Sequence, residues 1–111
     1  MQYIQLATEQ EHTLFDGFYA KFVHSEQMTM TFVRIEEGKS LPEHSHHNEQ
    51  MTTVLEGALE LTIGGEIVVV RSGEVVVIPS NVVHSGKALT DCRVIDVFTP
   101  VREDFKQRFS S

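Results

Sequence analysis

The chain has one cysteine, Cys92, no tryptophan and only three prolines in 111 residues. A lone cysteine excludes an internal disulfide and a cysteine-built zinc site. Its place in the apolar run DCRVIDVF marks it as a small buried hydrophobe. Basic residues are also scarce: nine Lys and Arg stand against sixteen Asp and Glu, for a formal net charge of −7. That balance argues against nucleic acid as a partner, because binding a phosphate backbone calls for a basic excess. It does not exclude a small anionic ligand, since a metal or a few arginines reverse the field locally. Long apolar runs are missing too. Ile67 to Val70 and Val75 to Pro79 are far too short to span a bilayer as helices, so no membrane partner is expected. The opening MQYIQLATEQEH has neither a basic region followed by an apolar stretch nor a cleavage pattern, and a cytoplasmic location is the expectation.

What the chain does have is strand signal. Hydrophobic residues at 41% and charged residues at 23% are ordinary for a globular protein of one domain, spanning 1–111. Gly17 to His24 and Gln27 to Ile35 are rich in β-branched and aromatic residues. Met28, Met30 and Phe32 share one side of the second run, and that stripe is expected to line the interior. Gly38 to Pro42 reads as a turn, Gln50 to Leu55 as a strand, and Glu56-Gly57 as the next turn. Gly64-Gly65, between Leu59 to Ile63 and Glu66 to Arg71, is a two-residue hairpin signal. Val75 to Ile78 and Cys92 to Phe98 complete the set, and Arg102 to Phe109 reads as a short terminal helix. Short strands about ten residues apart, with no long helical pattern, predict an all-β sandwich or barrel.

The histidines carry the chemistry. In PEHSHHNEQ, His44 and His46 are two apart, which on a strand places both imidazoles on one face. Gln50 has the same parity, and a nearly continuous strand brings its carbonyl oxygen to the same point. His84 arrives from a separate turn, PSNVVH. Imidazoles and a carboxamide oxygen suit a divalent transition metal, although a His-x-His pair on a strand also occurs as surface or packing. His47 and Glu49 have the opposite parity and are expected to face solvent. His12 and His24 lie apart from the cluster.

Gly38, His44, His46, Gln50 and Gly57, at intervals of five, one, three and six residues, resemble the first sequence signature of the cupin superfamily. Gly73, Pro79 and His84 resemble the second. The resemblance implies a jelly-roll barrel, with a core over about residues 28–100. It implies one divalent ion (Ni, Zn, Fe, Mn or Co) held by His44, His46, Gln50 and His84. The chain departs from the pattern at Gln50, where glutamate is usual, at Asn81, where glycine is usual, and at Ala88, where asparagine is usual. A neutral Gln50 leaves a divalent site one unit more positive, which favours Lewis-acid chemistry and anionic ligands over oxygen activation.

In the last strand Val94, Asp96 and Phe98 share a face. An aspartate among apolar residues is either paired, with Arg93 or Arg102, or functional. VIDVFTPVREDF, with HSHHNEQ, VLEG and PSNVVH, resembles the small cupins of the pectin-degradation (KdgF) type from about Met28 to Phe105. That resemblance implies conversion of 4,5-unsaturated monouronates, from pectin or alginate breakdown, to the linear keto form. It implies Asp96, Phe98 and Arg102 as the residues acting on a small anionic sugar, with glutamine as a regular ligand, and a homodimer. A cupin dioxygenase and a non-catalytic sugar- or metal-binding cupin are the alternatives.

Overall fold

The computed structural model describes residues 1–110, and these form two antiparallel sheets packed face to face. A 3₁₀ turn at Leu6–Thr8 leads in. The strands follow as β1 (His12–Phe15), β2 (Phe18–His24), β3 (Thr29–Ile35), β4 (Ser40–His44) and β5 (Glu49–Glu56). Then come β6 (Ala58–Ile63), β7 (Glu66–Arg71), β8 (Val75–Ile78), β9 (His84–Ala88) and β10 (Cys92–Thr99). Helix α1 (Glu103–Arg108) closes the chain. One sheet has six strands in the order β1-β2-β3-β10-β5-β8, and the other four in the order β4-β9-β6-β7. No described helix is long and apolar enough to cross a membrane.

The space between the sheets is divided along the strands. At one end Phe18, Val33, Ile35, Val54, Leu61 and Val94 head a buried apolar cluster that also includes Cys92. Burying aliphatic side chains of this kind stabilises by roughly 1.5–3 kcal/mol each. At the other end the buried side chains are polar: Thr29, Thr31, Asn48, Gln50, Thr52, His84 and Arg102. The chain crosses between sheets at this polar mouth, and α1 covers part of it by burying Phe105.

The turns follow the expected chemistry. Gly64 and Gly65 have φ +56° and +85°, the left-handed pair that a tight hairpin between β6 and β7 requires. Gly57 has φ +91°, and a Cβ there would run into the Asp91 carbonyl, so both conformation and space demand glycine. Asn81 takes the left-handed conformation (φ +65°) that a glycine holds in the signature. Asparagine tolerates it, and the Asn81 N–H donates to the His46 carbonyl at 2.8 Å.

Three expectations are corrected. The Met28, Met30 and Phe32 stripe does not line the interior: Thr29, Thr31, Val33 and Ile35 do, and Met28 is 48% exposed. Both faces of β3 carry large side chains, so hydrophobicity alone picked the wrong one. Gly38 to Pro42 is not turn throughout. The turn ends at Lys39, and Pro42 lies within β4, an edge strand that tolerates its missing donor. Strands β1, β4 and β9 were not expected. The polar sequences of β4 and β9, SLPEH and HSGKA, lack the β-branched pattern and are held by pairing with each other.

Candidate metal centre at the barrel mouth

His44, His46 and His84 come together, but not by strand parity. His44 ends β4, His46 lies in the connection that crosses to the other sheet, and Gln50 is on β5. His84 begins β9 and pairs with His44 in register. The convergence comes from a change of sheet between His44 and Gln50 rather than from a continuous strand. One ring nitrogen from each histidine lies within 4.8 Å of the others.

Each imidazole is oriented through its far nitrogen. The Nδ1 atoms face the carbonyls of Pro42, Asn48 and Val82 at 2.8, 2.9 and 2.9 Å respectively. A carbonyl only accepts, so Nδ1 carries the proton in all three rings and the Nε2 lone pair is free. Such a donor to the backbone is the usual support for a metal-bound imidazole. Among the described residues, His84 Nε2 is buried with no hydrogen-bond partner. His46 Nε2 stands 3.1 Å from Gln50 Oε1, two acceptors facing one another. A cation at the shared point resolves both, so the donor set fits a divalent ion. Burial, then the Arg102 charge, lowers the His46 pKa to about 4, and burial also lowers that of His84. Both rings are therefore neutral near pH 7, the form that ligates.

Asp96 sits directly behind Gln50. β10 is flanked by β3 and β5, with Asp96 opposite Thr31 on one side and Thr52 on the other. The Thr31 hydroxyl donates to Oδ2 at 3.1 Å. The Thr52 hydroxyl and the Gln50 amide donate to Oδ1 at 2.6 and 3.3 Å. Among the described residues Arg93 pairs with Glu56 and Arg102 with Asp104, and none pairs with Asp96, which removes the ion-pair reading. Burial raises the Asp96 pKa against the pull of these donors.

Phe98, two residues on, packs edge-on against His46 with ring centroids 5.5 Å apart. Arg102 stacks over the Phe98 and Phe105 rings at 4.7 and 3.7 Å. Its Nε and Nη2 donate to the Asp104 carboxylate at 2.9 and 2.7 Å, and its backbone N–H donates to Thr29. Two of the five guanidinium N–H groups are thereby committed to Asp104 and three are left over. A cavity of about 280 Å³ is lined by His44, Gln50, Asp96, Phe98, Arg102 and Arg108, among others. A larger groove, about 400 Å³, lies on the outer face of the six-stranded sheet over Phe32, Leu55 and Ile95 and holds none of these side chains.

His47 and Glu49 are exposed, as parity predicted. His12 and His24 sit apart, packed with Phe22. Four residues of the site were not anticipated: Thr31 and Thr52, which hold Asp96, Asp104, which holds Arg102, and Arg108. Thr31 and Thr52 reach Asp96 only through the pairing of β3 and β5 with β10, which the local sequence does not show. Nothing in the local sequence marks Asp104 or Arg108.

The fold and this cluster define a jelly-roll barrel with a three-histidine candidate metal site at its open end. Residues 31–98 match the cupin domain family, and the chain belongs to it. An uncharacterized protein of Streptomyces coelicolor is 29% identical over 93 residues, covering 83% of this chain and 89% of that one. The structure of KdgF from a Halomonas species is similar with a TM-score of 0.88 at 26% identity, covering 95% of this chain and 98% of that one. An RmlC-like cupin from Shewanella frigidimarina has the same fold, with a TM-score of 0.89 at 23% identity and coverage of 95% and 96%.

Proposed function

We propose that the chain is a metal-dependent enzyme that converts 4,5-unsaturated monouronates to their linear keto form. One observation carries the reading. The histidine and glutamine donors, Asp96, Phe98 and Arg102 all meet in or beside one small cavity. At about 280 Å³ it is just below the usual range for ligand pockets, roughly 300–1,000 Å³. That size suits a single sugar ring. The likeness to KdgF supports the same reading.

A divalent ion bound by His44, His46, Gln50 and His84 would supply Lewis acidity toward substrate oxygens. The chain's own residues supply the rest. Arg102, already aligned by Asp104 and two rings, donates its remaining N–H groups to the sugar carboxylate. Phe98 forms an apolar wall that keeps water from one side of the ring. Asp96 keeps one acceptor position free on Oδ2 and moves the proton. The reaction is an isomerisation. The C1 hydroxyl gives up its proton as the bond from C1 to the ring oxygen breaks, and carbon 4 gains one as the ketone forms at carbon 5. No oxidant is needed.

The test is to follow the ultraviolet absorbance of the conjugated double bond in freshly made unsaturated monouronate. Metal-loaded protein should accelerate its loss over the spontaneous rate, and a chelator should abolish the acceleration. Spontaneous rates with the ion demonstrably bound would contradict the reading.

A second copy of the chain is the proposed macromolecular partner, through the outer face of the six-stranded sheet. The register sets Phe32, Ile95, Thr53 and Val75 in one row and Met30, Val97, Met51 and Val77 in the next. Met51, Val75 and Val77 are about half exposed, and β8 is an open edge.

A further inference from the structure

We infer that Asp96 and Gln50 form a matched carboxylate–amide pair, in which Asp96 turns the Gln50 carbonyl oxygen toward the histidines. The pair also dictates that this position be glutamine rather than glutamate. The inference rests on the metal reading of the site but not on the uronate reaction. An amide can present either its oxygen or its nitrogen to the site, and the two orientations have nearly the same shape. Here the neighbours decide between them. Asp96 Oδ1, 3.3 Å from Gln50 Nε2, can only accept from it. Thr52 Oγ1, 2.9 Å from the same nitrogen, spends its own proton on Asp96 at 2.6 Å and so can only accept from Gln50 as well. Both contacts demand N–H donors, and Nε2 supplies two. Oε1 is left facing His46, as a ligand must be.

The same geometry excludes a carboxylate at residue 50. A glutamate there would set an oxygen at the place of Nε2, 3.3 Å from the Asp96 oxygen, inside a partly buried network. Like charges at that separation repel, the more so where burial weakens screening. A carboxylate is present in this site, but it stands one residue behind the donors, where its charge opposes that of the bound cation without a direct bond. Asp96 is in this respect a positioning residue for Gln50. Thr31, donating to the other Asp96 oxygen, holds the carboxylate in place on the far side. Exchange of the two groups is then the natural compensation: Asn at 96 offers N–H to Glu at 50, and the oxygen facing the histidines is restored.

The experiment uses the purified full chain in four forms: wild type, Gln50→Glu, Asp96→Asn, and both together. Co²⁺ affinity is read by calorimetry and by the visible absorption of the bound ion, and Tm is read on the metal-free proteins. Asp96→Asn should weaken Co²⁺ binding 10–100-fold, the range for loss of a group that orients a ligand. Gln50→Glu alone should lower the metal-free Tm at pH 8. The double variant should recover at least tenfold of the affinity lost in Asp96→Asn and return the Tm to near the wild-type value. Unchanged affinity in Asp96→Asn, or additive effects of the two substitutions on affinity and Tm, would overturn the pairing. If the wild type bound no Co²⁺, the metal reading would fail, while the metal-free Tm comparison would still decide the pairing.

Discussion

Two rows of side chains lie two residues apart on the same three strands, β3, β10 and β5, and they behave as different materials. Thr31, Asp96 and Thr52 form one row and Val33, Val94 and Val54 the other, each aligned by the same ladder. The valine row is apolar and packs into the core between the sheets. The threonine row has nearly the same shape, since threonine differs from valine by one hydroxyl, yet each hydroxyl serves the Asp96 carboxylate. Backbone geometry is therefore constant while chemistry changes over one step of about 7 Å along the strand. The comparison teaches that this fold separates its stability from its site along the strand axis. Each can be altered with little effect on the other, because sites without shared partners add independently.

That separation can be broken deliberately. The largest effect is expected at the mouth: His84→Ala removes one donor, and divalent-ion affinity measured by calorimetry should fall by more than about 100-fold. The metal-free Tm should hold or rise, since the buried, unpartnered Nε2 disappears with it. Val54→Ala in the other row should do the reverse. It should cost about 2–3 kcal/mol in denaturant unfolding through lost burial and a cavity, while ion affinity stays within about twofold. Thr31→Val marks where the separation ends, because it turns one row toward the other: loss of a hydrogen bond to the carboxylate should cost about 1.5–3 kcal/mol in the same denaturant unfolding.

The outer side of the same strands gives a third, smaller effect. Met51→Glu with Val77→Glu should shift the chain from dimer to monomer in light scattering, with ion affinity unchanged. A wild type already monomeric at 100 µM, roughly a millionfold above a tight dissociation constant, would remove the proposed pairing. The smallest effect concerns pH. The Arg102 guanidinium holds the Asp104 carboxyl below its ordinary value. A folded pKa below the unfolded one means stability that is present above about pH 4 and lost as pH falls through the folded value. Asp104 is largely exposed, so Asp104→Asn should flatten the acid limb of the stability profile by under about 1 kcal/mol.

Much of this was legible in the sequence, for reasons that differ from residue to residue. Gly64-Gly65 announced its hairpin because two adjacent left-handed residues have few other uses. That Val94, Asp96 and Phe98 share a face followed from strand alternation, while the pairing with β3 and β5 decided that this face turns inward. The histidines were found by their spacing, but the reason given for their convergence was wrong: parity cannot reveal that the chain changes sheet after His44. The Met28, Met30 and Phe32 stripe misled because a face that is apolar and outward looks like a core face in one dimension. Strands β4 and β9 stayed hidden because their stability comes from partners far along the chain rather than from their own residues. Thr31, Thr52 and Asp104 were invisible for the same reason, since each matters only through the group it touches.

The most direct measurement is a crystal structure of the protein grown with Co²⁺ or Ni²⁺, with anomalous diffraction recorded at the metal edge. The account predicts one anomalous peak per chain, bonded to Nε2 of His44, His46 and His84 and to Oε1 of Gln50, with Asp96 outside the coordination shell. No peak at the mouth, or a peak bonded directly to Asp96 with Gln50 turned away, would contradict it.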